Sequence, residues 1–141
     1  MRSVEDFVEQ LKTRYGKTIP FKKICEDENI TAVKTKLDQG LDGLSFRMNG
    51  YKIMLLNEHL PFWERRDVAY HELYHLLKSA TGTTSSTHYS KKECTKADLF
   101  AALCRIPKVT SDDTIDSICD KWNVSPTFAK IRIEFEVKKQ Q

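Results

Sequence analysis

Residues 70–77 read YHELYHLL, a His-Glu-x-x-His pattern around which the rest of the chain can be arranged. Four residues along a helix return a side chain to the same face, so His71 and His75 can direct both imidazoles at one point. Neutral imidazole is a good ligand for zinc, and a helix holds two of them rigidly. Glu72 lies one position round the helix and can act on a water at the metal without binding the ion. The pattern therefore predicts the centre of a zinc hydrolase.

The residues around the motif predict that it lies on a buried helix running from about Glu64 to Lys78. Burying polar side chains without partners costs free energy, so histidines inside such a helix call for a function. Two of the chain's four histidines fall in this one pattern. A match over five residues also arises by chance, so a structural accident is the alternative to a metal site. The apolar neighbours that indicate burial are Val68, Ala69, Leu73, Leu76 and Leu77.

Length and composition indicate one globular domain, which we expect to be cytoplasmic. The 141 residues are 40% hydrophobic and 30% charged, and a net charge of +3 is too small to indicate a nucleic-acid partner. No apolar run approaches the roughly 18 residues of a membrane span, and the N-terminus lacks the layout of a signal peptide. The four cysteines form no Cys-x-x-Cys pair, so we expect reduced thiols.

Changes in hydrophobic periodicity divide this single domain, residues 1–141, into four parts. Residues 1–29 predict N-terminal helices, and residues 30–57 predict strands. Residues 62–107 contain the motif helix, a small polar loop and a further helix, and residues 110–141 predict a C-terminal helical hairpin. The expected fold class is therefore α+β and mainly helical.

Residues 44–56 predict a small antiparallel β-hairpin that packs beside the motif helix. Leu44, Phe46 and Met48 alternate with polar residues, and Asn49-Gly50 supplies a two-residue turn. We interpret the hairpin mainly as architecture. The alternative is that one edge strand lines the cleft and pairs with an extended peptide substrate.

Catalytic zinc requires a third protein ligand, and the helix predicted from Lys91 to Ile106 offers Glu93. Its spacing to Ala97 and Phe100 places Glu93 on the buried face of that helix. A carboxylate directed at two imidazoles is a suitable third ligand. The alternative is an acid that only stabilises the helix N-terminus through the helix dipole.

The C-terminal segment predicts two helices joined at residues 122–125. Ser125 can cap the second helix, with Pro126 at its first position. A short turn between helices is also typical of a DNA-binding helix-turn-helix. Acidic residues balance the basic ones in this segment, which favours a docked helical hairpin over a DNA-binding element.

Residues 68–77 read VAYHELYHLL, and residues 97–107 read ADLFAALCRIP after Glu93. Together these segments resemble the ImmA/IrrE family of small zinc metallopeptidases. The family pattern is an apolar residue and Ala before His-Glu-Leu-Gly-His, then Glu-x-x-Ala-Asn/Asp-x-Phe-Ala and Leu-x-Pro. Residues 122–132 also resemble the closing helix pair of the family, so the resemblance covers about residues 40–135.

The resemblance implies a zincin-like fold of the gluzincin type and a role in a mobile genetic element, prophage or stress regulon. Family members are zinc endopeptidases that cleave a helix-turn-helix transcriptional repressor. The expected partner is therefore such a repressor, with no membrane partner. Two alternatives are a non-catalytic relative that sequesters a repressor or antitoxin, and a DNA-binding regulator that uses the C-terminal helices.

Two departures from the family pattern affect the expected site. Tyr74 stands where the family has Gly, and Cys94, not Glu93, stands three residues before Ala97, in the slot of the family's ligand glutamate. One residue corresponds to about 100° of helix rotation, so both side chains cannot be directed equally well.

We predict Zn²⁺ held by His71, His75 and Glu93, with Cys94 as the alternative third ligand and Asp98 as a further candidate. Glu72 is the expected general base, which passes the proton of the attacking water to the leaving amine. At the end of the polar loop, His88 is another candidate ligand, and His88 or Tyr89 is expected to contact the transition state or the substrate.

Overall fold

The computed structural model describes residues 2–38, 40–78 and 89–141. In these ranges the chain is α+β, as the sequence predicts, and it has six helices and one small sheet of three strands. The helices are α1 (Arg2–Tyr15), α2 (Phe21–Asp27), α3 (Phe62–Lys78), α4 (Lys91–Arg105), α5 (Ile115–Trp122) and α6 (Pro126–Lys139). The strands are β1 (Ile30–Thr35), β2 (Gly43–Met48) and β3 (Tyr51–Asn57). Within the described ranges, no helix is long and apolar enough to cross a bilayer.

The sheet has the order β1-β3-β2 and is mixed, because a third strand, β1, joins the antiparallel hairpin in parallel. β2 and β3 form the predicted antiparallel hairpin, with Met48 opposite Tyr51. Asn49 and Gly50 both have positive φ, the conformation that a tight two-residue turn requires. β1 pairs in parallel with the other side of β3. The apolar run of β3 suits a central strand.

β2 packs against α3 so that alternate residues of the strand meet successive turns of the helix. Every second residue of β2 faces the helix, because successive side chains of a strand point to opposite faces. The hydroxyl of Ser45 bonds Glu72, and the guanidinium of Arg47 donates to the carbonyl of Leu76 at 2.6 Å. A Cβ at Gly43 would lie 2.5 Å from the Val68 side chain, so only glycine allows this approach. The motif helix is therefore fixed to the hairpin along three successive turns.

The core lies between α3, α4 and α1. Leu73 of α3 and Phe100 of α4 are completely buried where the two helices cross. Phe7 of α1 stacks on Phe100 with ring centroids 5.7 Å apart and meets the ring of Tyr74 edge-on at 6.2 Å. Tyr74, the bulky residue in the motif, is buried in this aromatic group. Its size is accommodated by core packing on the side of α3 that faces α1.

The two C-terminal helices form a pair whose second member docks on the core. Asn123 ends α5 in the left-handed conformation, and the Ser125 side chain accepts from the Phe128 N–H at the start of α6. Arg132 of α6 is buried and donates to the carbonyl of Ile106 at 2.7 Å. Asp67 of α3 accepts from the Ser125 N–H at 2.9 Å. These contacts give the docked hairpin that the charge balance favours.

Candidate metal centre

Three potential ligand atoms converge between α3 and α4. The Nε2 atoms of His71 and His75 lie 3.2 Å apart, as the four-residue spacing predicts. The Sγ of Cys94 lies 3.9 Å from Nε2 of His75. One ligand atom from each residue lies within 4.8 Å of the other two, so the three form a compact set.

The spacing of these atoms fits a tetrahedral zinc ion. With Zn–N of about 2.0–2.1 Å and Zn–S of about 2.3 Å, two nitrogens lie about 3.3 Å apart and nitrogen and sulfur about 3.6 Å apart. The separations of 3.2 Å between the two nitrogens and 3.9 Å between nitrogen and sulfur are close to these values. Imidazole and thiolate are also the donor types that zinc prefers. These two separations and the chemistry of the set therefore fit zinc, and the third pair of ligand atoms, from His71 and Cys94, lies within 4.8 Å.

Asp98 on α4 orients the first imidazole. Its carboxylate lies 2.6 Å from Nδ1 of His71. A carboxylate accepts from Nδ1–H, which leaves the lone pair on Nε2 directed at the ligand set. Asp98, a further ligand candidate in the sequence, does not lie in the set and acts on it through His71.

His75 is held as a neutral ring. It is buried, and burial lowers its pKa to about 4, with the neighbouring charge of His71 acting in the same direction. Tyr89 stacks on its face, with ring centroids 3.7 Å apart and planes within 3°. A neutral imidazole in a fixed orientation can bind a cation without first losing a proton. Tyr89, expected near the substrate, thus contacts the second histidine, and His88 lies outside the described residues.

Cys94 reaches the imidazoles from the first turn of α4. Burial raises the pKa of its thiol, and the negative charges of Asp98 and Glu72 act in the same direction. The thiol is therefore protonated at neutral pH, and zinc binding would release its proton. Zinc affinity through this ligand should rise with pH.

Glu93, the preferred third ligand from the sequence, lies outside the ligand set. It is exposed and closes a capping box at the start of α4. Its carboxylate accepts from the Ser90 N–H at 3.3 Å, and the Ser90 hydroxyl accepts from the Glu93 N–H at 3.1 Å. This box fixes the register of the first turn, which directs Glu93 to solvent and Cys94 to the histidines. The geometry therefore favours Cys94, the alternative ligand.

The general-base candidate Glu72 is buried beside the ligand set and does not belong to it. Ser45 of β2 donates a hydrogen bond of 2.6 Å to its Oε1. Burial raises the pKa of the Glu72 carboxyl, which increases its affinity for a proton, whereas the Ser45 bond opposes that shift. A cavity of about 310 Å³ is lined by Glu72, His71 and Asp98, so a water or substrate group can reach them.

Sequence reasoning missed Ser45, and it did not identify the capping box formed by Glu93. The pairing of Ser45 with Glu72 joins residues 27 apart and depends on how β2 docks on α3, for which no local pattern exists. The capping role of Glu93 does have a local signal, since residues 90–93 read SKKE, a Ser-x-x-Glu capping box. That signal would have assigned Glu93 to the helix start and Cys94 to the site.

Comparison with known proteins gave no relatives. No family model, curated protein or solved structure matches the chain. The function is therefore inferred from the geometry of the site and from the motif residues themselves.

Proposed function

We propose that this chain is a zinc-dependent endopeptidase that cleaves a helix-turn-helix transcriptional repressor. The observation that carries the proposal is the convergence of His71, His75 and Cys94 beside the buried carboxylate of Glu72. Ligands on one side and a general base on the other are the parts that metal-assisted hydrolysis requires.

Each residue of the candidate metal centre has a defined part in the proposed reaction. His71, His75 and Cys94 would hold zinc, which supplies a Lewis acid for the scissile carbonyl and acidifies water. Glu72 accepts the proton of the attacking water and delivers it to the leaving amine. Ser45 occupies Oε1 of Glu72, which leaves Oε2 for that proton.

Two neighbours keep the ligands aligned during the reaction. Asp98 stabilises the tautomer of His71 that presents Nε2 to the ligand set. Tyr89 restricts rotation of the His75 ring by stacking on it. Preorganised ligands lower the cost of reaching the reactive geometry, because their side-chain entropy is lost on folding and not on binding.

The shape of the site supports a protein substrate. β2 is an edge strand of the sheet in the described part of the chain, and it runs along the face of α3 that carries Glu72. An extended segment beside such a strand places its backbone near the base and the ligand set. The choice of a repressor as substrate is supported by the resemblance of residues 68–77 and 97–107 to the ImmA/IrrE family.

The proposal can be tested with the purified chain and the repressor encoded nearest to it on the same genome. We expect about one zinc per chain by elemental analysis and loss of that zinc in His71→Ala. Glu72→Gln should retain zinc and lose repressor cleavage, measured by gel and mass spectrometry. Cleavage by Glu72→Gln at the wild-type rate would exclude Glu72 as the general base.

Cys94 also supports a second candidate, a zinc-containing module that binds a repressor without cutting it. Thiolates are common ligands of structural zinc sites and donate more charge to the metal than a carboxylate does. In that case the zinc-loaded wild type would form a stable complex with the repressor, and mass spectrometry would show the repressor intact. The two candidates therefore differ in one measurement on the same sample.

A further inference from the structure

The first strand of the sheet contacts α2 but is less covered than the two strands that lie under α3. α3 packs on β2 and β3, whereas residues 31–34 of β1 are exposed in succession. A strand in a sheet packed on a helix usually alternates buried and exposed residues. Over these residues, β1 instead has side chains exposed on both faces.

A groove of about 1110 Å³ lies along β1. α2 forms one wall, and residues 62–70 of α3 form the other. Consecutive residues 32–34 line it, which shows that the groove reaches the edge of β1 as well as one face. Its buried lining is apolar and includes Ile19, Ile30, Leu56, Ala69 and Tyr70. The volume exceeds the roughly 300–1,000 Å³ of common small-ligand pockets.

Aromatic and arginine side chains stand at the α3 wall of the groove. Phe62 is 62% exposed, and the guanidinium groups of Arg65 and Arg66 lie 5.9 Å and 5.7 Å from its ring centroid. Arg66 also lies 5.9 Å from the ring of Tyr70. Aromatic and arginine residues are the types enriched at the energetic centres of protein interfaces.

The charges along the groove are mainly positive. Lys22, Lys34, Arg65 and Arg66 line it, and Glu26 is the acidic residue among the described lining residues. Positive charge is therefore in local excess along the groove, in a chain whose net charge is +3. An occupant with acidic side chains would be complementary to this surface.

The backbone of β1 defines the shape of that occupant. Within the part of the chain that the structure describes, β3 is the only strand paired with β1. Backbone groups on the opposite side of an edge strand form a template for another strand. Proteins usually protect such an edge with charged residues, and the exposed Lys34 does so at one end of β1, whereas the exposed Ala32 and Val33 leave the middle of the strand open.

We propose that β1 and this groove form a docking site for an extended segment of a partner protein in which apolar and acidic residues alternate along the one face that enters the groove, at every second position of the segment. The segment would add a fourth strand at β1, place its apolar side chains in the groove, and pair its acids with Lys22, Lys34 and the arginines. This inference goes beyond the proposed peptidase function and does not depend on metal.

The chemistry of the groove favours a protein segment over a nucleic acid. An apolar floor contributes to binding only when apolar surface covers it, and the phosphate backbone of a nucleic acid offers none. A strand edge likewise needs backbone donors and acceptors as its partner. A peptide with acidic and apolar residues on the same strand face satisfies the edge, the floor and the charges together.

A fluorescein-labelled peptide of two Thr-Val-Thr-Asp repeats, named the Asp-Val peptide, provides the probe because its Val and Asp side chains share one face of a strand, and the Lys-Val peptide replaces each Asp by Lys. We expect it to bind the full chain by fluorescence anisotropy and to shift the backbone amide resonances of residues 30–35. Lys22→Glu with Lys34→Glu should weaken binding about tenfold, because two favourable ion pairs become repulsive. Phe62→Ala should also weaken binding, since it removes apolar contact from an exposed position and leaves the core unchanged.

The matched control is Lys108→Glu with Lys130→Glu, which makes the same change in net charge outside the groove. Wild-type affinity in this control, with a Lys-Val peptide that fails to bind, would support the proposal. Equal weakening by both double variants, or no shift at residues 30–35, would overturn it. Binding of a 20-base-pair duplex that the groove variant abolishes would overturn it in favour of a nucleic acid. The Asp-Val peptide should also bind His71→Ala, which lacks a ligand of the metal centre. Such binding would show that the docking site is independent of the peptidase proposal.

Discussion

The two halves of α3 are built for different purposes. In the C-terminal half, His75, Glu72 and Leu73 are buried, and the two polar side chains have close partners. In the N-terminal half, Phe62 is mostly exposed and borders an apolar groove. One helix therefore presents a preorganised polar site at one end and an uncovered apolar surface at the other.

This difference shows how the surroundings of a helix determine what its residues do. β2 and α4 enclose the C-terminal half, so polar side chains there are desolvated and held in place. At the N-terminal half, α3 and α2 form the two walls of the groove along β1 and leave it uncovered. Substitutions at the two ends should accordingly differ in their effects on stability, metal binding and partner binding.

The largest contrast is expected in stability. Leu73→Ala should lower the free energy of unfolding by about 2–5 kcal/mol, because it leaves a cavity beneath the motif. Phe62→Ala should change it by less than about 0.5 kcal/mol, since the ring is already in water. Urea denaturation followed by circular dichroism measures both values. A similar loss in the two variants would contradict the division of α3 into a packed half and an open half.

The next contrast concerns the first turn of α4, where adjacent residues have separate roles. Cys94→Ala should weaken zinc binding by more than about a hundredfold, because loss of a ligand exceeds the effect of losing an outer partner. Glu93→Ala should leave zinc affinity unchanged and cost about 0.5–1 kcal/mol of stability through the lost capping box. Competition with a chromophoric chelator gives the affinities. Zinc loss in Glu93→Ala with retention in Cys94→Ala would reverse the assignment.

The metal centre and the groove also differ in how far the sequence could predict them. His71, Glu72 and His75 lie on one helix, so periodicity alone places them, and Asn49-Gly50 specifies its hairpin in the same local way. The choice between Cys94 and Glu93 depended on one residue of helix register. The cap at Ser90 fixes that register, and it can be seen in the sequence only as a capping signal.

The groove could not be predicted, because it arises between segments that are distant in the chain. β1 pairs with β3 in parallel, and no periodicity of residues 30–35 specifies that partner or its direction. Ser45 became part of the site in the same way, through the docking of β2 on α3. Residues that act within one helix or one turn could therefore be predicted from the sequence. The packing of the strands on each other and on α3 could not.

A smaller effect is expected from the group that orients the first imidazole. Asp98→Ala should weaken zinc binding about 10–100-fold, because His71 loses the acceptor that holds its tautomer. Asp120→Ala, an exposed acid on α5, is the control for the change in charge. The same chelator competition measures both. Wild-type affinity in Asp98→Ala would show that packing alone orients the ring.

The smallest effect concerns the contact that holds α2, the groove wall, against α1. The Tyr15 hydroxyl donates a hydrogen bond of 2.6 Å to Asp27, and this bond, with Lys23 and Arg14 nearby, lowers the pKa of the Asp27 carboxyl. A lowered folded-state pKa stabilises the fold above the unfolded pKa of about 3.9, and this stabilisation is lost as the pH falls through the folded value. Tyr15→Phe should therefore be less stable than wild type at pH 6, with a smaller difference at pH 3. Urea denaturation at both pH values measures the difference, and a gap that widens on acidification would show that Asp27 does not depend on this bond.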